Sequence, residues 1–571
     1  MLALPPGWPL ILGGLLLALL RRPAFAYATL ALPILSYWHF SSLPDAYTYD
    51  LDLFWYKLEL IKVDRLSRIF GLVFHIAALL GALFALHVRD RVQHVSAMVY
   101  AGATIAATAA GDLISLFIFW EMTAISSVFL IWARRTPRAV RTGLRYLVIQ
   151  VGSGVLLLSG TLLYLAENGE MTLKAFTLDG PATWLIFLAF GIKAAFPLLH
   201  NWLQDAYPES TATGTVFLSG FTTKLAIYAL ARCFPGTELL IPIGVVMTLF
   251  PIFYAEIEND LRKVLAYSLN NQLGYMVVGI GIGTELALNG AAAHAFVHII
   301  YKGLLFMAMG AVLYRTGTTR ASELGGLYKA MPWTTAFCIV GAVSISAFPL
   351  FSGFVAKGMI LTAVAEEHRT LTFLGLLFAS AGVMHHSGIK IPYFAFFAHD
   401  HGIRHRRKVR EAPWNMLGAM ALASALCIGI GVLPGLLYVQ LPFSLAAAEY
   451  LPYTATHVVT QLQLLLLAAL AFAVLMRMGL YPDEVRSINV DSDWTYRKVA
   501  PAVLRGLERG FMATRGAVER SVSVLRIRMM GQFGHLYGPR GWLGSPWSTG
   551  ETALWSAILL VAYLVLSYYV D

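Results

Sequence analysis

The sequence predicts an all-α polytopic membrane protein with about 14–16 transmembrane helices and no separate soluble domain. Of its 571 residues, 58% are hydrophobic and only 13% are charged, whereas soluble proteins carry about 25% charged residues. Apolar runs of roughly 20 residues, the length that crosses a bilayer, follow one another along nearly the whole chain. Water is therefore not the main solvent of this protein.

The formal net charge of +10 indicates orientation in the membrane rather than binding of nucleic acid. Lys and Arg gather in short connectors between apolar runs, and such connectors stay on the cytoplasmic side. Even numbers of spans separate these basic clusters, so we expect all of them on one side. The clusters are Arg21 and Arg22; Arg134, Arg135, Arg138 and Arg141; Arg262 and Lys263; and Arg404, Arg406, Arg407, Lys408 and Arg410. The chain should therefore be a multi-pass protein of the bacterial inner (plasma) membrane.

A different composition appears between the last two apolar runs. Residues 490–530 alternate arginines with leucine, valine and phenylalanine, which predicts a long basic amphipathic helix that is too charged to span. We expect it to lie along the cytoplasmic surface, against either lipid headgroups or neighbouring membrane helices. Glycines from Gly531 to Gly550 should end it, and residues 551–570 should form a final transmembrane helix.

Five ionisable residues lie inside apolar runs: Glu121, Lys193, Lys224, Lys302 and Lys357. A charge at the bilayer centre costs about 2.5–3.5 kcal/mol on insertion scales, so such residues are candidates for function. A single lysine near a helix end could instead reach the headgroups with its ammonium group. Five residues in separate spans make that explanation poor.

Prolines close to two of these lysines predict broken helices. Pro197 follows Lys193, and Pro349 and Gly353 precede Lys357. Helices broken at mid-membrane are where transporters bind ions. Two such segments far apart in the chain suggest two related halves, and we expect two inverted five-helix repeats with broken helices.

His294, His298 and Lys302 share one helical face, because they follow one another at intervals of four residues. Imidazole exchanges protons near neutrality, and a desolvated lysine can join it, so this face suggests a proton relay. Packing histidines or a zinc-binding pair are the alternatives, but no HExxH motif or cysteine pair completes a metal site. The weaker candidates of the same kind are His200, His385, His386 and Lys390.

Glu121 is the natural electrostatic partner of Lys193, since a nearby carboxylate favours the charged ammonium group. The pair could act as a switch that controls when Lys193 releases its proton. The sequence contains no phosphate-binding loop, dinucleotide fingerprint or nucleophile-base motif. We therefore expect no cofactor and no catalytic residue, and the energy must come from an ion gradient or from partner subunits.

Residues 60–400 resemble the antiporter-like membrane subunits that Mrp-type antiporters share with respiratory complex I. The stretches that carry the resemblance are Gly111–Glu121, Lys193–Glu209, Asp260–Ser268, Gln272–Tyr275 and His294–Phe306. In that family, the residues matching Glu121, Lys193, Lys224 and Lys357 form a proton-transfer chain. Those matching His294, His298 and Lys302 extend it. The resemblance thus implies the same residues as the burial argument.

Within that family, the segment Gly388–Asp400 looks like the D subunit of Mrp antiporters. The chain departs from the family pattern at Gln204 and Tyr207, which flank Asp205, and at the pair Asn270–Asn271. Asp205 is therefore a secondary candidate only. The long helix and final span after residue 480 resemble the long-arm subunit of complex I and suggest a clamp on a neighbouring subunit.

The resemblance divides the chain into six parts. These are N-terminal transmembrane helices (1–110), a first antiporter-like repeat (111–257), a second (258–400), C-terminal transmembrane helices (401–480), the lateral helix (490–530) and the final transmembrane helix (551–570).

The function that follows is a proton-translocating subunit of a multisubunit Na⁺(K⁺)/H⁺ antiporter, a transporter rather than an enzyme. Its partners would be other membrane subunits of the complex, the transported H⁺ and Na⁺ or K⁺, and the lipid bilayer. A pumping subunit of a redox complex and a membrane subunit of an inorganic-carbon uptake complex are the alternatives, because all three reuse one proton-moving module.

Overall fold

Helices form almost all of the regular structure, as the long apolar runs predict. The computed structural model describes residues 4–21, 23–53, 56–403, 407–486, 489–541 and 543–570. The basic residues Arg22, Arg404 and Arg406 lie outside the described residues. The chain divides into two compact units, Met1–Asn489 and Val490–Asp571.

The first unit contains twenty of the helices that we number here. They are α1 Trp8–Leu17, α2 Ala24–Ser41, α3 Arg65–Ala85, α4 Arg91–Thr108, α5 Leu113–Trp132, α6 Pro137–Asn168, α7 Pro181–Ala194, α8 Asn201–Glu209, α9 Gly214–Gly220, α10 Thr222–Cys233, α11 Leu240–Ile257, α12 Leu261–Ile282, α13 Glu285–Thr316, α14 Pro332–Ile345, α15 Ser352–Glu366, α16 Thr370–Val383, α17 Trp414–Val432, α18 Gly435–Tyr438, α19 Ser444–Glu449 and α20 Ala455–Arg477. Two π-helical segments, Met384–Lys390 and Tyr393–Phe397, continue α16, and short 3₁₀ turns lie at Ala321–Glu323 and Leu327–Lys329.

The all-α polytopic membrane fold is confirmed. Within the described residues, nine helices are long and apolar enough to cross a membrane, and three shorter apolar helices accompany them. Helix α13, which carries His294, and the α9–α10 segment are the most deeply buried of these nine spans. Several remaining passes are split into half-helices or carry polar residues, so the expected total of about 14–16 crossings stays a prediction.

A β-hairpin that the sequence analysis did not predict follows α2. Strands β1 (Tyr47–Leu53) and β2 (Tyr56–Val63) pair antiparallel. The backbone N–H of Lys62 donates to the carbonyl of Ala109 at 2.7 Å, and the N–H of Gly111 donates to the carbonyl of Glu59 at 3.0 Å. The hairpin therefore packs against the turn between α4 and α5 at one end of the bundle.

Local structures recur in the two halves of the first unit. Asp112 begins α5 and pairs with Thr172, and Asp260 begins α12 and pairs with Arg320 at the same spacing. Helices α6 and α13, which each span 32 residues, both end at a glycine with positive φ. Helices α4 and α11, of 18 residues each, precede these pairs.

This recurrence supports the expected repeats but moves their limits. It pairs α4 with α11, one helix earlier than the boundaries expected at residues 111 and 258. We therefore propose that the repeats are α4–α10 and α11 to the π-helical segments. Each contains five passes, and an odd number of passes places the second repeat in the opposite orientation.

Both helices expected to be broken are broken. Helix α7 ends at Ala194 and α8 begins at Asn201, while α14 ends at Ile345 and α15 begins at Ser352. Each break contains the sequence Ala-Phe-Pro-Leu, with positive φ at Ala195, Leu198, Ala347 and Leu350. Positive φ is uncommon for residues with a side chain, so the surrounding packing must hold these turns.

The basic clusters that the structure describes lie at one end of the bundle. Arg134 and Arg262 both donate to the carbonyl of Pro208, and the guanidinium group of Arg407 lies beside Gly317. Arg262 is almost fully buried and also binds the carbonyl of Ser210. It therefore ties α12 to the end of α8 rather than contacting headgroups.

The second unit contains α21 (Ala500–Tyr537), preceded by a π-helical turn at Thr495–Val499, and α22 (Thr549–Val570). Helix α21 begins ten residues later and ends seven residues later than the range expected for the lateral helix. It continues through Gly531 and Gly534 because an interior glycine costs a helix only about 1 kcal/mol. Helix α22 agrees with the expected final transmembrane helix.

Opposite ends of α6 provide a test of orientation. The three native cysteines are buried, so they should not react with an impermeant maleimide. Arg141 and Glu167 are both exposed and are about 39 Å apart along the helix axis. We expect Glu167→Cys to be labelled from outside intact cells and Arg141→Cys only in inverted vesicles. The reverse pattern would contradict the orientation.

Candidate functional site

Lys193 is held against α5 by contacts that replace water. It lies in the last turn of α7, is fully buried, and its Nζ donates to the carbonyl of Trp120 at 2.6 Å and to Oγ1 of Thr123 at 3.1 Å. The same Nζ lies 4.3 Å from the centre of the Trp120 ring, a cation–π geometry. Ser153 accepts from the Trp120 indole at 3.0 Å and so fixes the ring.

Glu121 lies next to Lys193 but does not contact its ammonium group. The two side chains interact electrostatically, yet the described residues contain no ion pair between them. The Glu121 carboxylate lies over Gly154 of α6, where a Cβ atom would collide with it. Its Oε1 is buried and has no hydrogen-bond partner among the described residues. The expected pair is therefore brought together, with Lys193 bound to the α5 backbone.

The break after Lys193 carries two secondary candidates with different surroundings. His200 is buried, with its ring 4.5 Å from that of Phe250. Asp205 forms an ion pair with Arg145 of α6, in which Nε and Nη2 of the arginine both donate to Asp205 Oδ2, at 2.9 Å and 2.6 Å. Asp205 thus pairs α8 with α6.

A cluster of tyrosines connects the surroundings of Lys193 with those of Lys224. Trp202 donates to the carbonyl of Ile192 at 2.9 Å and packs against Tyr146 and Tyr207. Thr222, two residues before Lys224, interacts with Tyr146. Further buried members of this region are Tyr100, Gln150 and Gln204.

Several polar atoms of this region have no partner among the described residues: the Tyr207 hydroxyl and the side-chain amides of Gln150 and Gln204. Buried polar groups in proteins are normally satisfied by protein atoms or ordered water. The arrangement is therefore suited to a hydrated polar path between two lysines.

Lys224 lies immediately after a third helix break, which the sequence analysis did not predict. Helix α9 ends at Gly220 and α10 begins at Thr222, which frees backbone carbonyls. The Lys224 Nζ donates to the carbonyl of Ser219 at 2.6 Å and to Thr223 Oγ1 at 3.2 Å. A buried ammonium group needs such acceptors, and the break supplies one.

The face of α13 that was expected to form a relay points into the core. His294 contacts Gln272 at 3.2 Å and Tyr301 at 2.9 Å, and the His294 and His298 rings are 6.1 Å apart. Both nitrogens of His298 and the Nζ of Lys302 are buried without a partner among the described residues. Lys224 acts electrostatically on all three side chains, so the first repeat meets this face.

Lys357 approaches the same face from the other side. It lies two turns into α15, and its Nζ donates to Ser380 Oγ at 3.3 Å and lies 4.6 Å from the Tyr275 ring centre. The Tyr275 ring packs edge to face against His294, 5.8 Å away. The four groups that were expected to act together in this half are therefore neighbours.

The π-helical segment carries the remaining secondary candidates. His386 is buried beside Lys302 and Lys390, which both act on it electrostatically. Lys390 donates to the carbonyl of Glu256 at 2.6 Å and forms an ion pair with Glu484 at 2.7 Å. His385 lies 3.4 Å from the Glu256 carboxylate. These weaker candidates therefore lie at one end of the series of buried ionisable residues, next to two carboxylates.

The sequence analysis missed the residues that support the lysines. Tyr275 and Ser380 contact Lys357, and Gln272 and Tyr301 contact His294 beside it. Hydroxyls and amides occur in many membrane helices and carry no distinguishing signal. Glu256 and Glu484 were also missed. Glu256 could have been noticed as a carboxylate in the last turn of the apolar helix α11, whereas Glu484 lies in a polar connector.

Comparisons with known proteins identify the domain in which most of these residues lie. Residues 110–384 match the family model described as NADH:quinone oxidoreductase/Mrp antiporter, TM, and this range contains the series from Glu121 to Lys357. The chain carries an antiporter-like domain of this family. Lys390, Glu484 and the second unit lie outside the matched range.

The relatives of this antiporter-like chain belong to more than one kind of complex. Hydrogenase-4 component B of Escherichia coli (strain K12) is 26% identical over 65% of this chain. The D subunit of an Na(+)/H(+) antiporter from Alkalihalophilus pseudofirmus is 33% identical over 50% of this chain. In each case the alignment covers 62% of the relative's length.

Among solved structures, a chain of the membrane-bound sulfane sulfur reductase, an archaeal respiratory membrane complex, has the same fold. It matches 98% of this chain and 99% of its own length with a TM-score of 0.70 at 21% identity. The fold of the antiporter-like chain is thus found along nearly its full length in a chain of a larger membrane complex.

The contact between Glu121 and Gly154 gives a matched pair of variants. Gly154→Ala places a methyl group where the carboxylate lies, while Gly152→Ala, on the same helix, meets no atom within 4 Å. We expect Gly154→Ala to lower proton flux in inverted vesicles about tenfold, equivalent to about 1.4 kcal/mol. Gly152→Ala should match the unsubstituted protein. Equal flux in both variants would show that the position of Glu121 is unimportant.

Proposed function

We propose that this chain is the proton-translocating subunit of a multisubunit monovalent cation (Na⁺ or K⁺)/proton antiporter. The proposal rests on one observation: buried ionisable groups follow one another from Glu121 to Lys390 through both halves of the bundle. Burying so many ionisable groups away from water is unfavourable, and the helices that carry them also pack through a large apolar core. Their function in moving charge accounts for them best.

The proposed path runs laterally through the bundle. Glu121 and Lys193 form the input pair, and protonated Lys193 passes its proton through the hydrated tyrosine cluster toward Lys224. His298, His294 and Lys302 then carry the proton across α13, and Lys357 governs exchange with one side of the membrane. His200, His386 and Lys390 act as secondary groups of the path.

Electrostatics couple the steps. When Glu121 is charged and near, Lys193 retains its proton, and when Glu121 turns away toward Gly154, Lys193 is favoured to release it. A proton that arrives at Lys224 in turn disfavours a second charge on His298 and Lys302, because like charges repel strongly at low dielectric. Each transfer thus prepares the next, and the interacting groups titrate as a set.

A pumping subunit of a redox complex is the second candidate. The alignment with hydrogenase-4 component B covers more of this chain than the one with the antiporter's D subunit, which favours this alternative. In that case the same residues would move protons, while electrons would pass through other subunits.

The input pair provides the test of proton movement. We expect Lys193→Ala and Glu121→Ala each to lower cation-dependent proton flux about 100-fold or more, a typical contribution of a proton-transfer group. The matched control is Lys174→Ala, which removes an exposed lysine that interacts with Glu170 and Tyr164. Normal flux in both input variants, with the complex assembled, would contradict the proposed path.

Co-purification in mild detergent distinguishes the two candidates. Hydrophobic antiporter-type subunits without a cofactor protein would support cation/proton exchange, whereas flavin, iron–sulfur or nickel subunits would identify a redox pump. We also propose that α21 clamps a neighbouring subunit through its apolar positions. The double variant Leu507→Gln/Phe511→Gln should then reduce partner recovery several-fold, and Arg509→Gln should not.

A further inference from the structure

A short segment after α20 closes one end of the series of buried groups. We call residues 480–486 the strap. The Tyr481 hydroxyl donates to Glu256 Oε2 at 2.9 Å, and Arg486 pairs with Glu323. The strap is therefore anchored to the last turn of α11 and to the 3₁₀ turn at Ala321–Glu323, with Glu484 between the two anchor points.

Glu484 lies at the boundary between water and the buried Lys390. Its carboxylate is 2.7 Å from the Lys390 Nζ, with side-chain exposures of 8% for the glutamate and 0% for the lysine. Its neighbours Asp483 and Val485 are exposed. Both carboxylate oxygens are buried and, the ion pair apart, accept no hydrogen bond from a described residue. The carboxyl group thus lies directly beneath the exposed surface of the strap.

Ionisable groups surround this carboxylate from every adjoining element. Lys390 faces it from the π-helical segment, Glu256 from α11 and Glu258 from the turn beyond α11. Tyr481 of the strap interacts with both Glu484 and Glu256, and His385 contacts Glu256. Lys263 pairs with Glu258 at 2.6 Å. Burial raises the pKa of Glu484 above its ordinary value, and Lys390 offsets only part of this rise.

We propose that Glu484 is the carboxyl group through which the path exchanges protons with water. It does so at the end of the bundle where the basic clusters lie. This inference rests on the proposed function. The Lys390 ammonium group transfers a proton to Glu484 Oε1, so that one N–H bond breaks and one O–H bond forms, leaving a neutral amine and a carboxylic acid. The acid turns to water and releases the proton, and Lys390 is reprotonated from the direction of His386.

The neutral pair is physically accessible because a buried ion pair gains little over its neutral form once desolvation is counted. A carboxylate must be ionised to accept a proton, so flux should fall as the pH drops through the raised pKa of Glu484. The reverse transfer, from water to Lys390, uses the same two atoms.

The test compares two substitutions in the strap of the intact complex. We expect Glu484→Gln to lower cation-dependent proton flux at least about tenfold at every pH and to remove the acidic limb of the pH profile. Glu484→Asp, which keeps a carboxyl group, should restore most of the flux. Arg486→Gln removes the neighbouring anchor to Glu323 without touching Lys390 and should leave the flux and its pH profile unchanged.

Two further variants make the result unambiguous. Glu484→Gln/Lys390→Gln leaves no buried charge unpaired, so it should assemble even if Glu484→Gln alone does not, and its flux should be equally low. Wild-type flux and pH profile in Glu484→Gln would overturn the inference, as would equal losses in Glu484→Gln and Arg486→Gln. Lys193→Ala in the same vesicles separates the hypotheses: normal flux there contradicts the proposed function, whereas loss there alone contradicts only the role of Glu484.

Discussion

The high free energy of a charge in a low-dielectric interior is the constraint on which this structure depends. Three buried lysines meet it in the same way, by donating to a backbone carbonyl at 2.6 Å: Lys193 to Trp120, Lys224 to Ser219 and Lys390 to Glu256. Ser219 and Glu256 lie in the last turns of α9 and α11, where carbonyl groups have no partner within the helix. The Trp120 carbonyl lies inside α5, and Lys193 reaches it from the last turn of the broken helix α7. Helix ends within the bundle therefore position all three lysines or their acceptors.

The same constraint explains why the lysines are neither fully satisfied nor free. A perfectly paired ammonium group would hold its proton permanently, and an unsupported one would never acquire it. Lys193 next to a displaced Glu121, and Lys302 with no protein partner at all among the described residues, represent two degrees of support. Differences of this kind are what allow a charge to move from one site to the next.

The sequence was sufficient to predict the membrane fold, the two proline breaks and every buried lysine of the series. A charged residue in an apolar run is conspicuous, and Pro197 and Pro349 mark their breaks directly. The break at Phe221 contains no proline, and the π-helical segment around Lys390 has no local signature, so both were missed. The β-hairpin was missed for another reason: its alternating pattern is short and lies between two long apolar runs.

Residues that act through long-range neighbours were beyond prediction from one sequence. Gln150, Gln204 and Tyr207 matter because two helices, α6 and α8, bring their polar atoms into one apolar interior. Glu484 is one of several acidic residues in a polar connector, and only the fold shows that it meets Lys390. The repeat limits were also uncertain, because α4 and α11 share length and position rather than sequence.

The half-helices have a consequence for biogenesis. Helix α7 has 14 residues, or about 21 Å, which is too short for a hydrocarbon core of about 30 Å. Its continuation, α8, is polar, with Asn201, Gln204 and Asp205 among its nine residues. This pass should therefore insert poorly by itself when it leaves the ribosome. It needs α5 and α6 already in place to receive its polar half, so assembly of the bundle must follow the order of synthesis.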